Sequence, residues 1–257
     1  GQDCAQYALG KIYRDGQGVE KDIQKAVALF TLAATKENSF AAFALGKLYL
    51  AGDAALPRDP AAALKWLTYA AELGNQFAQY RLGKLLLKGD DGIPKDVITA
   101  IRWLTAAAKQ ENGYAEYALA LVYLTGEDAP KDSVKALSLL KRSAGRGNQF
   151  AQYRLGKLLL QGEDAPKDVK AAIRWLTAAA EQGNQYAQYA LGKLYLLGKE
   201  VPKDRSSAIK WFQLAADQGN EYAQYFLKHM DDRLGQPPVA AVISLFHPLA
   251  HLFQEQN

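Results

Sequence analysis

The residues of this chain best suited to chemistry are rings and cations that recur at fixed intervals. Tyr7, Phe43, Tyr80, Tyr117, Tyr153, Tyr189 and Tyr225 stand 36 or 37 residues apart, and four positions beyond them come Lys11, Lys47, Lys84, Leu121, Lys157, Lys193 and His229. Three positions before the ladder, from its second member on, lie Phe40, Phe77, Tyr114, Phe150, Tyr186 and Tyr222. Spacings of three and four place all three sets on one side of a helix. Tyrosine rows offer rigid apolar area with a polar tip, and lysine can meet the carboxylates of a peptide. The candidate partner-binding set is Tyr80, Tyr117, Tyr153, Tyr189, Lys84, Lys157 and Lys193, with Phe77, Phe150 and Tyr186. Two other readings stay open. The rings can pack between neighbouring helices with the lysines solvated, or rings and cations together can form a platform for single-stranded nucleic acid.

Other chemistry is sparse. His247 and His251 are four apart, a spacing that can set two imidazoles on one metal, but Pro248 intervenes and only Glu255 or Asp231 could add to them. Solvated or capping histidines are the expectation, with no metal and no cofactor. There is no phosphate-binding glycine loop, nucleophile elbow or nucleophile–base pair, so the chain reads as a non-enzyme. With Cys4 the sole cysteine, no internal disulfide can form, which points to a reducing, cytoplasmic setting. A formal charge of +4 over 257 residues is mild for a nucleic-acid-binding domain. No run approaches the ~20 apolar residues that span a bilayer, so no membrane partner is expected. A monomer is expected.

The elements that carry these residues are copies of one unit, seen most plainly in Asn148 to Gly183. Ala5, Ala41, Ala78, Ala115, Ala151, Ala187 and Ala223 mark seven first helices, each with a leucine four positions on and, in the first six, Gly10, Gly46, Gly83, Ala120, Gly156 or Gly192 next to it. The small residue predicts a close helix neighbour. Gly16, Gly52, Gly89, Gly126, Gly162 and Gly198 suit the left-handed end of a helix. Asp22, Asp59, Asp96, Asp132, Asp168 and Asp204 then read as N-caps of second helices. On those helices Trp66, Trp103, Trp175 and Trp211 share one site with Leu29 and Leu139, which predicts buried core filling. One such helix pair cannot close a core alone, so the copies must stack.

The fold expected is all-α: a right-handed superhelical solenoid of antiparallel helix pairs over 1–234, with repeats at about 2–37, 38–74, 75–111, 112–147, 148–183 and 184–219 and a partial one at 220–234. A divergent capping helix is expected over 235–257, where Val239, Val242, Ile243, Phe246, Leu249 and Phe253 keep helical spacing. The copies Asn75–Gly89 and Asn148–Gly162 differ only at Lys88 against Gln161, as recent duplication or consensus design would leave them. Because Gln2 to Tyr7 is already in register with Asn148 to Tyr153, Gly1–Asn257 reads as a segment of a longer protein.

The series Ala-x-x-x-Leu-Gly-x-x-Tyr, Gly, Pro-Lys-Asp, Trp, Ala-Ala and Gly-Asn resembles the Sel-one-like repeat (SLR) family, relatives of the tetratricopeptide repeats, from Gln2 to about Leu234. That resemblance implies a scaffold for protein complexes, with a protein or peptide bound in the concave groove lined by first helices. Departures include Leu86 and Leu159 for tyrosine, Glu37 and Glu111 for the terminal glycine, and Ala120 for glycine. The tail 239–257 and Asn220–Leu227 resemble the C-terminal region of conjugative relaxases (mobilisation proteins) of Gram-positive gut bacteria. This implies one alternative to the scaffold, a single-stranded nucleic-acid-binding accessory module of a relaxase; a secretion signal in the missing part would instead suggest another, a secreted or surface binder of a host protein.

Overall fold

The computed structural model describes residues 1–89 and 92–229. Among them are thirteen helices and no β-strand, with one isolated bridge residue at Ile93. The first helices are α1 (Gln2–Asp15), α3 (Ser39–Ala51), α5 (Gln76–Lys88), α7 (Gly113–Thr125), α9 (Gln149–Gln161), α11 (Gln185–Leu197) and α13 (Glu221–His229). The second helices are α2 (Ile23–Ala34), α4 (Pro60–Glu72), α6 (Val97–Lys109), α8 (Ser133–Gly145), α10 (Val169–Glu181) and α12 (Arg205–Asp217). The chain is all-α and built of helix pairs, as its sequence predicts. It divides into two compact units, 1–175 and from 176 onward. The expected capping helix over 235–257, with His247 and His251, lies outside the described residues.

Every second helix starts where a side chain meets its unpaired amides. The carboxylates of Asp22, Asp59, Asp96, Asp132, Asp168 and Asp204 accept from the backbone three residues on, at 2.9 or 3.0 Å. The same aspartates donate their own N–H back to the preceding first helix, Asp22 to the carbonyl of Tyr13 and Asp59 to that of Tyr49, both at 2.9 Å. One residue thus starts the second helix and fixes it to the first. The glycines that end first helices all have positive φ. In the 37-residue units, however, Gly52 and Gly89 pair φ 65° with ψ 161° and 141°, outside the left-handed helical region expected for them. The extra turn residue requires this wider bend, which only glycine adopts freely. Glu37 and Glu111, which replace terminal glycines, carry positive φ at 61° and 66°.

Within each pair the helices touch along the small residues. A Cβ added at Gly46 would lie 2.6 Å from Leu67, at Gly83 the same distance from Leu104, and at Gly10 from Phe30. In the second unit Gly192 meets Phe212 likewise. These leucine and phenylalanine partners are fully buried. The tryptophans are not: Trp66, Trp103, Trp175 and Trp211 are half-buried, which corrects the expectation of buried sites. The residue after Trp66, Trp103 and Trp211, namely Leu67, Leu104 and Phe212, points at the glycine. The indole sits one position round the helix, covering the edge of the core with its apolar body. Stacking between pairs buries Ala33-Ala34, Ala70-Ala71 and Ala107-Ala108 against the next first helix, whose anchors Ala41, Ala78 and Ala115 are fully buried.

Because Ala120 fills the fourth small-residue position and is itself fully buried, a single methyl can be housed there. We expect Gly83→Ala to lower stability modestly and Gly83→Leu by about 2 kcal/mol or more, through overpacking against Leu104. Thermal unfolding of the two variants checks this. Equal melting temperatures for Gly83→Leu and the parent chain would contradict the close approach.

Candidate protein-binding face

Asparagine sets the start of nearly every first helix. Asn38, Asn75, Asn112, Asn148, Asn184 and Asn220 accept from the backbone N–H of Ala41, Ala78, Ala115, Ala151, Ala187 and Ala223 at 2.9 to 3.1 Å. All but Asn38 are buried. Beside the anchor alanine a buried glutamine reaches back to the preceding second helix: Gln79 to the carbonyl of Ala71, Gln152 to Ala144 and Gln188 to Ala180, at 3.0 or 3.1 Å. Gln110 closes onto Gln79 and Gln218 onto Gln188, at 2.9 and 2.8 Å.

The fourth repeat solves the same junction with charge. Glu116, fully buried, stands where every other first helix except α3, which has Ala42, carries glutamine, and a carboxylate cannot donate to the Ala108 carbonyl. Arg142 supplies that bond instead at 3.3 Å, while its Nη2 lies 2.6 Å from Glu116 Oε1 in a poorly aligned ion contact. Arg146 bonds Glu116 at 3.2 Å and Glu111 at 2.9 Å. Three changes therefore compensate one another, and they leave no exposed carboxylate on α7.

The face these junctions aim carries the rings. Tyr80, Tyr117, Tyr153 and Tyr189 are half-buried, as are Tyr186, Lys84, Lys157 and Lys193, whereas Phe77 and Phe150 are exposed at 48% and 37%. Within the first unit each ladder ring meets the leading ring of the next repeat: Phe43 with Phe77 at 6.4 Å, Tyr80 with Tyr114 at 5.9 Å, Tyr117 with Phe150 at 6.3 Å. In the second unit Tyr189 meets Tyr222 at 5.9 Å and also Phe212 and Phe226. Lysines lie over the rings four residues before them, Lys47 over Phe43 at 5.8 Å and Lys84 over Tyr80 at 6.0 Å. Packing between first helices is thus real for half of each ring, and the leading rings keep an open side. Burial, then repulsion from Lys199, pushes the Lys193 ammonium below its ordinary pKa.

Several features were not read from the sequence. Arg81, Lys88 and Arg154 share the ring face, yet they do not recur in every repeat and so carry no periodic signal. The Pro-Lys-Asp lysines also reach the next repeat's turn, Lys95 to Asp128 at 2.6 Å and Lys131 to Asp164 at 2.8 Å. The Lys131 ammonium, with the Ser133 hydroxyl, holds the Asp164 carboxyl below the ordinary range. No group of three or more metal-binding side chains is gathered among the described residues, and no helix there is long and apolar enough to cross a membrane.

Helix pairs of fixed length, capped alike and docked through small residues, define an α-helical repeat protein of the solenoid class. Six consecutive stretches, 5–38, 39–75, 76–112, 113–148, 149–184 and 185–220, match the Sel1 repeat, and the chain belongs to the Sel1 repeat family. It is 34% identical to a Sel1 repeat protein from Oxalobacter formigenes, with a TM-score of 0.81 over 90% of this chain and 66% of that one. It is also 34% identical to a protective antigen of SLR fold present in uropathogenic Escherichia coli strains, with a TM-score of 0.79 over 93% of this chain and 51% of that one. The chain therefore spans roughly two thirds and half of the lengths of these two relatives. An immunity protein from Pseudomonas aeruginosa, 18% identical with a TM-score of 0.51 over 92% of this chain and 89% of its own, shares the fold alone. Comparison with curated proteins gave no match. Proteins of the Sel1 repeat family generally act as protein-interaction scaffolds.

Replacing Arg142 with Ala and Arg146 with Gln, the residues found at the equivalent positions of the third repeat, strands the Glu116 carboxylate. We expect a loss of about 2 kcal/mol or more, since removing partners from a buried charge is costly. Adding Glu116→Gln should recover most of it by recreating the amide junction of Gln79 and Gln110. Urea unfolding of the double and triple variants measures both, and a triple variant no more stable than the double would contradict the compensation.

Proposed function

We propose that the chain is a non-catalytic scaffold that binds a protein partner along the ring face of its first helices, the side read from the sequence as the concave groove. The observation that carries this is the open row Phe77, Tyr114 and Phe150, exposed at 48%, 56% and 37% although each touches a ring of the preceding repeat. Their neighbours hold them rigid, so little conformational entropy is lost on binding. Tyr80, Tyr117 and Tyr153 form the floor of this row in the first unit, and Tyr186 with Tyr189 extends the same pattern in the second. The likeness to a protective antigen favours, as second reading, a surface binder of a host protein. The relaxase reading has weaker support: the family match ends at residue 220, and most of the residues behind it lie beyond 229.

Peptides selected from a display library on the folded chain test the choice of face. Tyr114→Ala with Tyr117→Ala should weaken the selected peptides by about thirtyfold, the effect of losing a buried aromatic anchor worth ~2 kcal/mol. Ile98→Ser with Val134→Ser, which alters exposed apolar residues of the second helices α6 and α8, should leave affinity unchanged. The opposite pattern would move the working surface to the second helices.

A further inference from the structure

Within the first unit the ring face is charged unevenly. At 3.6 residues per turn, Phe77, Tyr80, Arg81, Lys84 and Lys88 share one side of α5, and Phe150, Tyr153, Arg154, Lys157 and Gln161 share the matching side of α9. Between them α7 presents Tyr114, Tyr117, Ala118, Leu121 and Thr125, without charge. Neither α5 nor α9 contains an acidic residue, and the one acid of α7, Glu116, is fully buried against Arg142 and Arg146. The three helices are joined along this side by the contacts of Tyr80 with Tyr114 and Tyr117 with Phe150. The arrangement is cationic, then apolar, then cationic.

A second observation falls on the same face. The Nε of Arg154 is buried and makes no hydrogen bond, and a buried donor without an acceptor is costly. Arg154 and Arg81 are not required by the fold, since the equivalent positions hold Ala44, Ala118 and Ala190. A cation pair present only on α5 and α9, flanking a neutral ring platform, fits a ligand with carboxylates at both ends and apolar side chains between them.

We propose that α5, α7 and α9 form a binding site for an extended acidic–apolar–acidic peptide segment. One carboxylate pairs with Arg81, Lys84 and Lys88, the apolar centre lies on Tyr114, Tyr117 and Leu121, and the second carboxylate takes Arg154 and Lys157. Neighbouring packed helices stand about 8–10 Å apart, so the two cationic ends are roughly 16–20 Å distant. An extended chain covers that span in about five or six residues. A polynucleotide fits less well, because its evenly spaced phosphates would cross a platform that offers them no cation. This proposal rests on the reading of the ring face as the binding surface and adds the chemistry of the occupant.

The test uses the whole chain and three synthetic peptide libraries. Each has four to six variable apolar residues between fixed ends that are Asp/Glu, Gln or Lys, and a thymidine oligonucleotide serves as a fourth ligand. Fluorescence anisotropy of enriched members should show acid-ended peptides binding at least about tenfold tighter than Gln-ended ones, as loss of charge-assisted bonds implies. Arg81→Ala with Arg154→Ala, residues that neighbouring repeats already carry, should erase that advantage. Peptides that bind regardless of their ends, yet are lost in Tyr114→Ala with Tyr117→Ala, would overturn the charge proposal and leave the ring face standing. Tighter binding of the oligonucleotide, or no enrichment from the acid-ended library, would also overturn it.

Discussion

The contact on which this structure depends is between a glycine of a first helix and a leucine or phenylalanine of the second helix paired with it. With no Cβ in the way, Leu67 and Leu104 lie directly on the backbone at Gly46 and Gly83, and Phe30 and Phe212 do so at Gly10 and Gly192. That closeness sets the separation and angle within a pair. It also determines which residues face the next pair, and hence why buried alanines recur where second helices meet the following first helix. The aspartate that caps the second helix while donating back to the first locks the turn that makes the contact repeatable.

Much of this was legible in the sequence, because a repeated unit displays each position several times over. The small residue beside the leucine, the glycine that ends the helix and the aspartate after proline each have one physical use, and the structure puts them to it. The tryptophans misled for a definable reason. Exchange with leucine shows that a site is apolar, but not whether it is enclosed, and a large ring can fill the rim of a core as readily as its centre. The glutamine and asparagine junctions were hidden differently. The two glutamine pairs join residues about thirty positions apart, and a polar residue's burial cannot be seen from its neighbours in sequence. The fourth repeat would have supplied the clue, since Glu116, Arg142 and Arg146 all depart from the common pattern together.

The candidate face was half legible. The ladder and its leading rings do come together, and lysines do lie over rings, so the periodic part of the expectation corresponds to a built surface. The selectivity we propose for it lies in what is not periodic. Repetition builds a generic apolar row, and departures from it on α5, α7 and α9 give that row a charge pattern. A scaffold of equivalent units gains a preferred ligand in this way without altering the contacts that hold the units together.

The most direct measurement is the location of protection when a ligand is bound. Hydrogen–deuterium exchange of the whole chain, with and without a saturating acid-ended peptide, reports each helix separately. Slowed exchange is expected in α5, α7 and α9, greatest on α7 around Tyr114 to Leu121, with little change in α4, α6 and α8. Protection confined to those second helices would contradict binding on the ring face.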